Sequence, residues 1–151
     1  MSEIERKFLV GEVPADLGAG DHLRQAYLAV DGATEVRVRA TGERCMLTVK
    51  GGHGLERDEV EIEIDRDRFE ALWPLAQGRH LEKMRHRVAV GDHTAEVDRY
   101  EGTLTGLTVV EVEFASVADA GRFAVPDWFG RELTGEPGWS NAALATDGRP
   151  G

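Results

Sequence analysis

One cysteine, Cys45, is all the chain contains, so an internal disulfide is excluded. Its setting in the apolar-alternating run Cys45-Met46-Leu47-Thr48-Val49 reads as a buried thiol in a reducing compartment. No run of 18 or more apolar residues occurs, so no membrane-spanning helix is expected. The first ten residues carry Glu3 and Glu5 and lack an apolar h-region, which does not fit a secretory signal. A cytoplasmic location is expected. Basic residues are in deficit, 18 Lys and Arg against 28 Asp and Glu, for a net charge of −10. That balance argues against a nucleic-acid backbone as partner. It does not exclude an anionic ligand, because charges beyond about 8–10 Å are largely screened and local sorting decides. Aromatics make up only 7% of the chain, and no nucleobase pocket is evident among them. The five histidines lack metal-ligand spacing such as H-x-x-x-H, and Gly51-Gly52-His53-Gly54 lacks the spacing of a P-loop. Neither an internal repeat nor a low-complexity segment is present.

What the chain does have is alternation. The 151 residues, 41% of them hydrophobic, suffice for one domain with a substantial core, expected over residues 1–145 with a frayed tail over 146–151. Period-2 patterning marks eight strands: Glu3–Val10, Leu23–Val30, Glu35–Ala40, Arg44–Lys50, Glu56–Ile64, Leu81–Val90, Thr94–Tyr100 and Thr108–Phe114. Turn chemistry separates them, as at Asp31-Gly32, Thr41-Gly42-Glu43 and Gly91-Asp92. A helix is expected over Asp67–Leu75, a second over Ser116–Phe123 and a third from near Asn141. The fold class is therefore mainly β with a few covering helices (α+β), as an antiparallel barrel or strongly curved sheet.

Residues i and i+2 of a strand share a face, roughly 6.6–7 Å apart. By that parity Glu3, Glu5 and Lys7 oppose Ile4 and Phe8, and Arg37 with Arg39 oppose Val36 and Val38. Thr48 and Lys50, then Arg57, Glu59, Glu61 and Glu63, then Lys83, Arg85 and Arg87, likewise form charged faces. Glu96 with Asp98, and Glu111 with Glu113, complete the set. Two readings fit. In one, charged faces meet water and apolar faces pack on helices. In the other, the charged faces converge on a polar lumen. Same-sign pairs within a strand are unfavourable unless an opposite charge faces them, which favours the lumen.

Glu3-Ile4-Glu5-Arg6-Lys7 resembles the E-x-E-x-K signature that opens CYTH-domain proteins, the triphosphate tunnel metalloenzymes. The resemblance continues in order: Gln25-Ala26-Tyr27-Leu28, Val36-Arg37-Val38-Arg39, Leu47-Thr48-Val49-Lys50, Arg57-Asp58-Glu59-Val60-Glu61, Glu82-Lys83-Met84-Arg85, Glu96-Val97-Asp98 and Glu111-Val112-Glu113. Glu132-Leu133-Thr134 and Trp139-Ser140-Asn141 are similar to the C-terminal elements of that family.

The resemblance implies a closed eight-stranded antiparallel tunnel that binds a triphosphate. By matched position it implies Glu3, Glu5, Glu111 and Glu113 as holders of Mg²⁺ or Mn²⁺, with Asp98 supporting a second ion. It implies Lys7, Arg37, Arg39, Lys50 and Arg85 as phosphate clamps, with Arg57, Arg87 and Glu61 also at the substrate. Hard oxygen ligands suit these metals, and the planar guanidinium suits phosphate oxygens. Lys83, crowded by Arg85 and Arg87, is a candidate base or a further clamp, and Arg85 its catalytic companion. The expected activity is metal-dependent hydrolysis of tripolyphosphate to pyrophosphate and phosphate, as in the short bacterial members. Class IV-type adenylate cyclase, thiamine triphosphatase or nucleoside triphosphatase activity is the alternative, and a polyphosphate- or nucleotide-binding module the non-enzymatic one. The expected partner is a small anionic triphosphate, with no nucleic acid and no membrane; a homodimer is left open.

Overall fold

The computed structural model describes residues 1–151. Its eight strands are β1 (Ser2–Leu9), β2 (Gly20–Asp31), β3 (Thr34–Thr41), β4 (Arg44–Gly51), β5 (Glu56–Ile64), β6 (His80–Val90), β7 (His93–Tyr100) and β8 (Thr108–Phe114). They form a closed antiparallel barrel in the order β1-β5-β4-β3-β2-β6-β7-β8. The expected strands coincide with these to within three residues at each end. Closure removes the open edges that a sheet of this size would otherwise present. No helix is long and apolar enough to cross a membrane.

Closure also turns the barrel inside out relative to an ordinary globular core. Apolar side chains face outward and are buried under helices and loops, except on β5, where Val60 and Ile62 stay exposed. On the β1, β7 and β8 face, Ile4, Phe8, Val97, Val110 and Val112 pack with Phe129 and with Ala120 of α2 (Val117–Arg122). On the β2–β3–β4 face, Ala26, Val38, Ala40 and Cys45 are sealed by Phe69 of α1 (Arg66–Leu72) and by Ala76. Asp65 caps α1 by accepting from the Arg68 backbone N–H at 2.8 Å. The helix then tightens into a 3₁₀ turn over Trp73–Ala76, where Pro74 removes a backbone donor. The expected helix over Asp67–Leu75 is thus one short α-helix joined to a 3₁₀ turn.

The third helix, α3 (Asn141–Asp147), lies across one end of the barrel against Leu81, Tyr100 and Leu133. Ser140 caps it through the Ala143 N–H at 3.1 Å. Regular helix therefore continues through Thr146 and Asp147, two residues into the segment expected to fray.

Candidate functional site

The charged faces point inward. The lumen is a cavity of about 630 Å³, within the size range of ligand sites. It is lined by residues from all eight strands and, at one mouth, by Gly52–Gly54, Gly135 and α3. That mouth is drawn tight: a Cβ on Gly135 (φ +76°) would come within 3.3 Å of the Gly54 Cα.

The acidic side is built on neighbouring strands. Register sets Glu5 beside Glu113, Lys7 beside Glu111 and Glu3 beside Arg57. Lys50 Nζ lies 2.7 Å from Glu3 Oε1 and 3.3 Å from Glu59 Oε2, tying two of the acids. Lys7 Nζ is 3.8 Å from Glu111 Oε1 and donates to the Trp139 carbonyl at 2.7 Å. Burial and the neighbouring Glu111 and Glu3 hold the Glu5 carboxyl well above its usual range. Burial and contact with Glu3 push Glu59 up to about 7. Glu111 goes the opposite way. Burial opposes its charge, but Lys7, Lys83, Arg85 and Lys50 outweigh it and hold its carboxyl far below the usual range.

Glu5 pairs with no basic side chain in the way that Glu3 pairs with Lys50, and three further carboxylates stand about it. This is the test of the implied metal. Hard oxygen donors with excess negative charge, one of them unpaired and deprived of water, match what a divalent cation requires. Glu3, Glu5, Glu111 and Glu113 fit. A separate group, His22, Glu82 and Glu101, brings its ligand atoms within 4.8 Å of one another, but its side chains are exposed rather than in the tunnel.

The acidic set has a consequence for stability. Between about 4.5 and 7 the folded protein keeps a proton on Glu59 that the unfolded chain has released, and Glu5 is shifted in the same direction, so stability falls as pH rises. Without divalent cations, the melting temperature is expected to drop by roughly 2–4 °C over that window. Mg²⁺ or Mn²⁺ at neutral pH reverses the drop. Calorimetric scans showing a rise from pH 5 to 7 in chelator would contradict this.

The basic side is set apart. Arg37 and Arg39 each leave a buried Nε without a partner. Arg39 reaches Glu61 only at 3.8 Å; burial, then Arg37 and Arg85, lowers its guanidinium to about 10. Arg85 holds both oxygens of Asp98, at 2.8 and 2.9 Å, and Glu96 at 3.3 Å.

Three of the expected site residues are not among those lining the cavity. Asp98 is fully buried, its oxygens taken by Arg85 and by Lys83 Nζ at 2.7 Å. Lys83 is likewise fully buried and is not among the lining residues; its ammonium lies over the Tyr100 ring at 5.4 Å. Its ammonium is lowered to about 8, as expected, but by burial first; Arg85 adds to this, and Asp98 opposes it. Arg87 sits at the rim, half exposed, paired with Asp21 at 2.7 Å. Arg57 lines the mouth and ties it together, donating to Gly52 O at 2.9 Å and Ala33 O at 3.2 Å.

Several lining residues were not singled out as site residues from the sequence. Glu59 and Glu96 share the parity of the charged faces, which was signal enough to include them. Glu35 shares the parity of Arg37 and Arg39, and Ser140 with Asn141 belongs to a family-like element, whereas Arg79 carries no such signal because only the closed fold brings it to the cavity.

Comparison with known proteins agrees with this geometry. The chain is similar to the inorganic triphosphatase of Nitrosomonas europaea, 43% identical over 147 residues that cover 96% of this chain and 97% of that protein. It is similar to the inorganic triphosphatase of Acetivibrio thermocellus, 38% identical over 145 residues, covering 94% and 92%. A crystal structure of an inorganic triphosphatase matches with a TM-score of 0.70 and 41% identity, over 95% of this chain and 93% of that one. Residues 1–134 match the CYTH domain, and the chain belongs to the CYTH domain family.

Proposed function

We propose that this protein hydrolyses inorganic tripolyphosphate to pyrophosphate and phosphate, with a divalent cation, Mg²⁺ or Mn²⁺, in the tunnel. The observation that carries this is the pairing of two unlike walls: arginines with unpartnered buried N–H groups opposite carboxylates in excess of their cations. A triphosphate chain satisfies the first and a metal the second.

Bound at Glu3, Glu5, Glu111 and Glu113, the cation supplies charge neutralisation and Lewis-acid polarisation of phosphate oxygens. The chain's own residues do the rest. Arg37, Arg39 and Arg85 donate in forks to non-bridging oxygens and hold the phosphates in line. Lys7 and Lys50 add point charges where the leaving pyrophosphate gains its electron pair. Asp98 locks the Arg85 guanidinium at two points, and Lys83 neutralises Asp98 from behind. Lys83 thus serves by orienting Arg85; its proton lies one ion pair away from the lumen. The buried, reduced Cys45 fits work in the cytoplasm.

Tripolyphosphate, ATP and thiamine triphosphate, each offered with Mg²⁺ or Mn²⁺, test the reading. Equimolar phosphate and pyrophosphate from tripolyphosphate, at least tenfold faster than phosphate from ATP, are expected. Cyclic AMP from ATP would make it a cyclase, and binding without turnover a binding module.

A further inference from the structure

Arg37 differs from its neighbours in what holds it. Arg85 is gripped by Asp98 and Arg39 reaches Glu61 at 3.8 Å, whereas the buried Arg37 has no carboxylate within ion-pair distance, and its Nε, like that of Arg39, has no partner. Its cross-strand neighbour on β2 is Tyr27, a fully buried tyrosine. Contact with the Tyr27 hydroxyl favours the charged guanidinium against the opposing effect of burial. Two positions back on the same face, Gln25 donates its Nε2 to the Tyr27 hydroxyl at 2.7 Å. Gln25 is also fully buried, and its Oε1 has no partner at all.

A buried amide with an orphaned oxygen is costly, and an unbranched apolar side chain would fill the same space without that cost. Arg37 faces Tyr27 across the strand pair, and the amide presents its N–H to the phenol oxygen at 2.7 Å. Gln25 thus holds the hydroxyl on the strand face that Arg37 shares. We infer that Gln25 is a positioning residue for tripolyphosphate binding: it fixes the Tyr27 hydroxyl, which in turn fixes the Arg37 guanidinium against the lumen. Arg37 is thereby aimed without a carboxylate, so its full charge is left for the substrate. Holding it by Glu or Asp would cancel part of the charge that phosphate must meet.

This inference rests on the proposed triphosphate site, and its test separates the two. Gln25→Met, Tyr27→Phe and the double variant are compared with the wild type for thermal stability, for tripolyphosphate binding by titration calorimetry and for steady-state turnover. Gln25→Met is expected to melt at or above the wild-type temperature, because the orphaned oxygen is gone. Its Kd and KM for tripolyphosphate rise by about fivefold while kcat stays within about twofold, as when a binding contact loosens before the chemical step. In the Tyr27→Phe background the same substitution adds nothing. Gln25→Met with unchanged affinity, or with an equal loss in both backgrounds, overturns the positioning role. So does a loss of affinity that only tracks a lower melting temperature. Wild-type protein that binds tripolyphosphate without cleaving it overturns the hydrolase reading, and the Kd comparison still decides for Gln25. Protein that does neither overturns both.

Discussion

Glu111→Gln is expected to lower kcat/KM for tripolyphosphate by on the order of a thousandfold, with the barrel still folded. Glu111 is buried and stands at the meeting point of the two walls. Lys7 lies 3.8 Å from it, and Lys83, Arg85 and Lys50 all act to keep it charged. It is also cross-strand to Lys7 on β1 and to Glu96 on β7. An amide of the same shape keeps the packing and removes the charge. The cations it organises then repel one another, and the carboxylate set loses a buried member that four cations hold ionised. Raising Mg²⁺ restores little, since the amide offers a divalent cation no charge. A Mg²⁺ titration of initial rates on purified variant and wild type checks this. Activity within tenfold of wild type at saturating metal would remove Glu111 from the site.

The contrast between Glu111 and Glu5 shows where sequence reading stops. Alternation placed both on charged faces and set the strand limits, because a pleat reverses direction at every residue whatever surrounds it. The same pattern serves a water-bathed sheet and a polar lumen, so it left the two readings open. Closure decides between them, and closure depends on β5 pairing with β1 across more than fifty residues of chain. The family resemblance supplied that long-range pairing; period-2 patterning did not.

Strand β6 makes the limit concrete. Lys83, Arg85 and Arg87 share parity, and by pattern alone they are equivalent. Yet 11 residues at about 3.3 Å each outrun the lumen. The middle residue lines the cavity, Lys83 is sealed off from it inside the barrel, and Arg87 emerges half exposed. Parity reports the face and says nothing about depth. The helical side was harder still. Pro74 ended α1 early, while α3 ran on into Thr146 and Asp147 because packing against Leu81 and Tyr100 stabilises a terminus that composition alone reads as loose.

Depth matters most at Asp98, where the largest loss of stability is expected. Asp98 and Lys83 are both fully buried, and the carboxylate is shared with Arg85. Its pKa is lowered although burial alone would raise it, because Lys83 and Arg85 outweigh desolvation. Asp98→Asn removes one charge of three and leaves Lys83 with no compensating anion in contact. Breaking a buried pair in this way costs about 3–5 kcal/mol, so the melting temperature should fall by roughly 10 °C. The loss has a direction in pH. Lys83 already titrates at about 8, far below its ordinary value, and without Asp98 it falls lower. The folded variant then sheds a proton that the unfolded chain holds until well above pH 10, so its stability climbs as pH rises from 7 to 9. Lys83→Met on top of Asp98→Asn recovers most of the melting temperature by withdrawing the uncompensated charge. Activity does not return with it, because Arg85 has lost its two-point anchor. Calorimetric melts of both variants across that pH range decide the matter. An Asp98→Asn protein as stable as wild type at pH 7, or a double variant as unstable as the single one, would mean that the ion pair does not carry the fold.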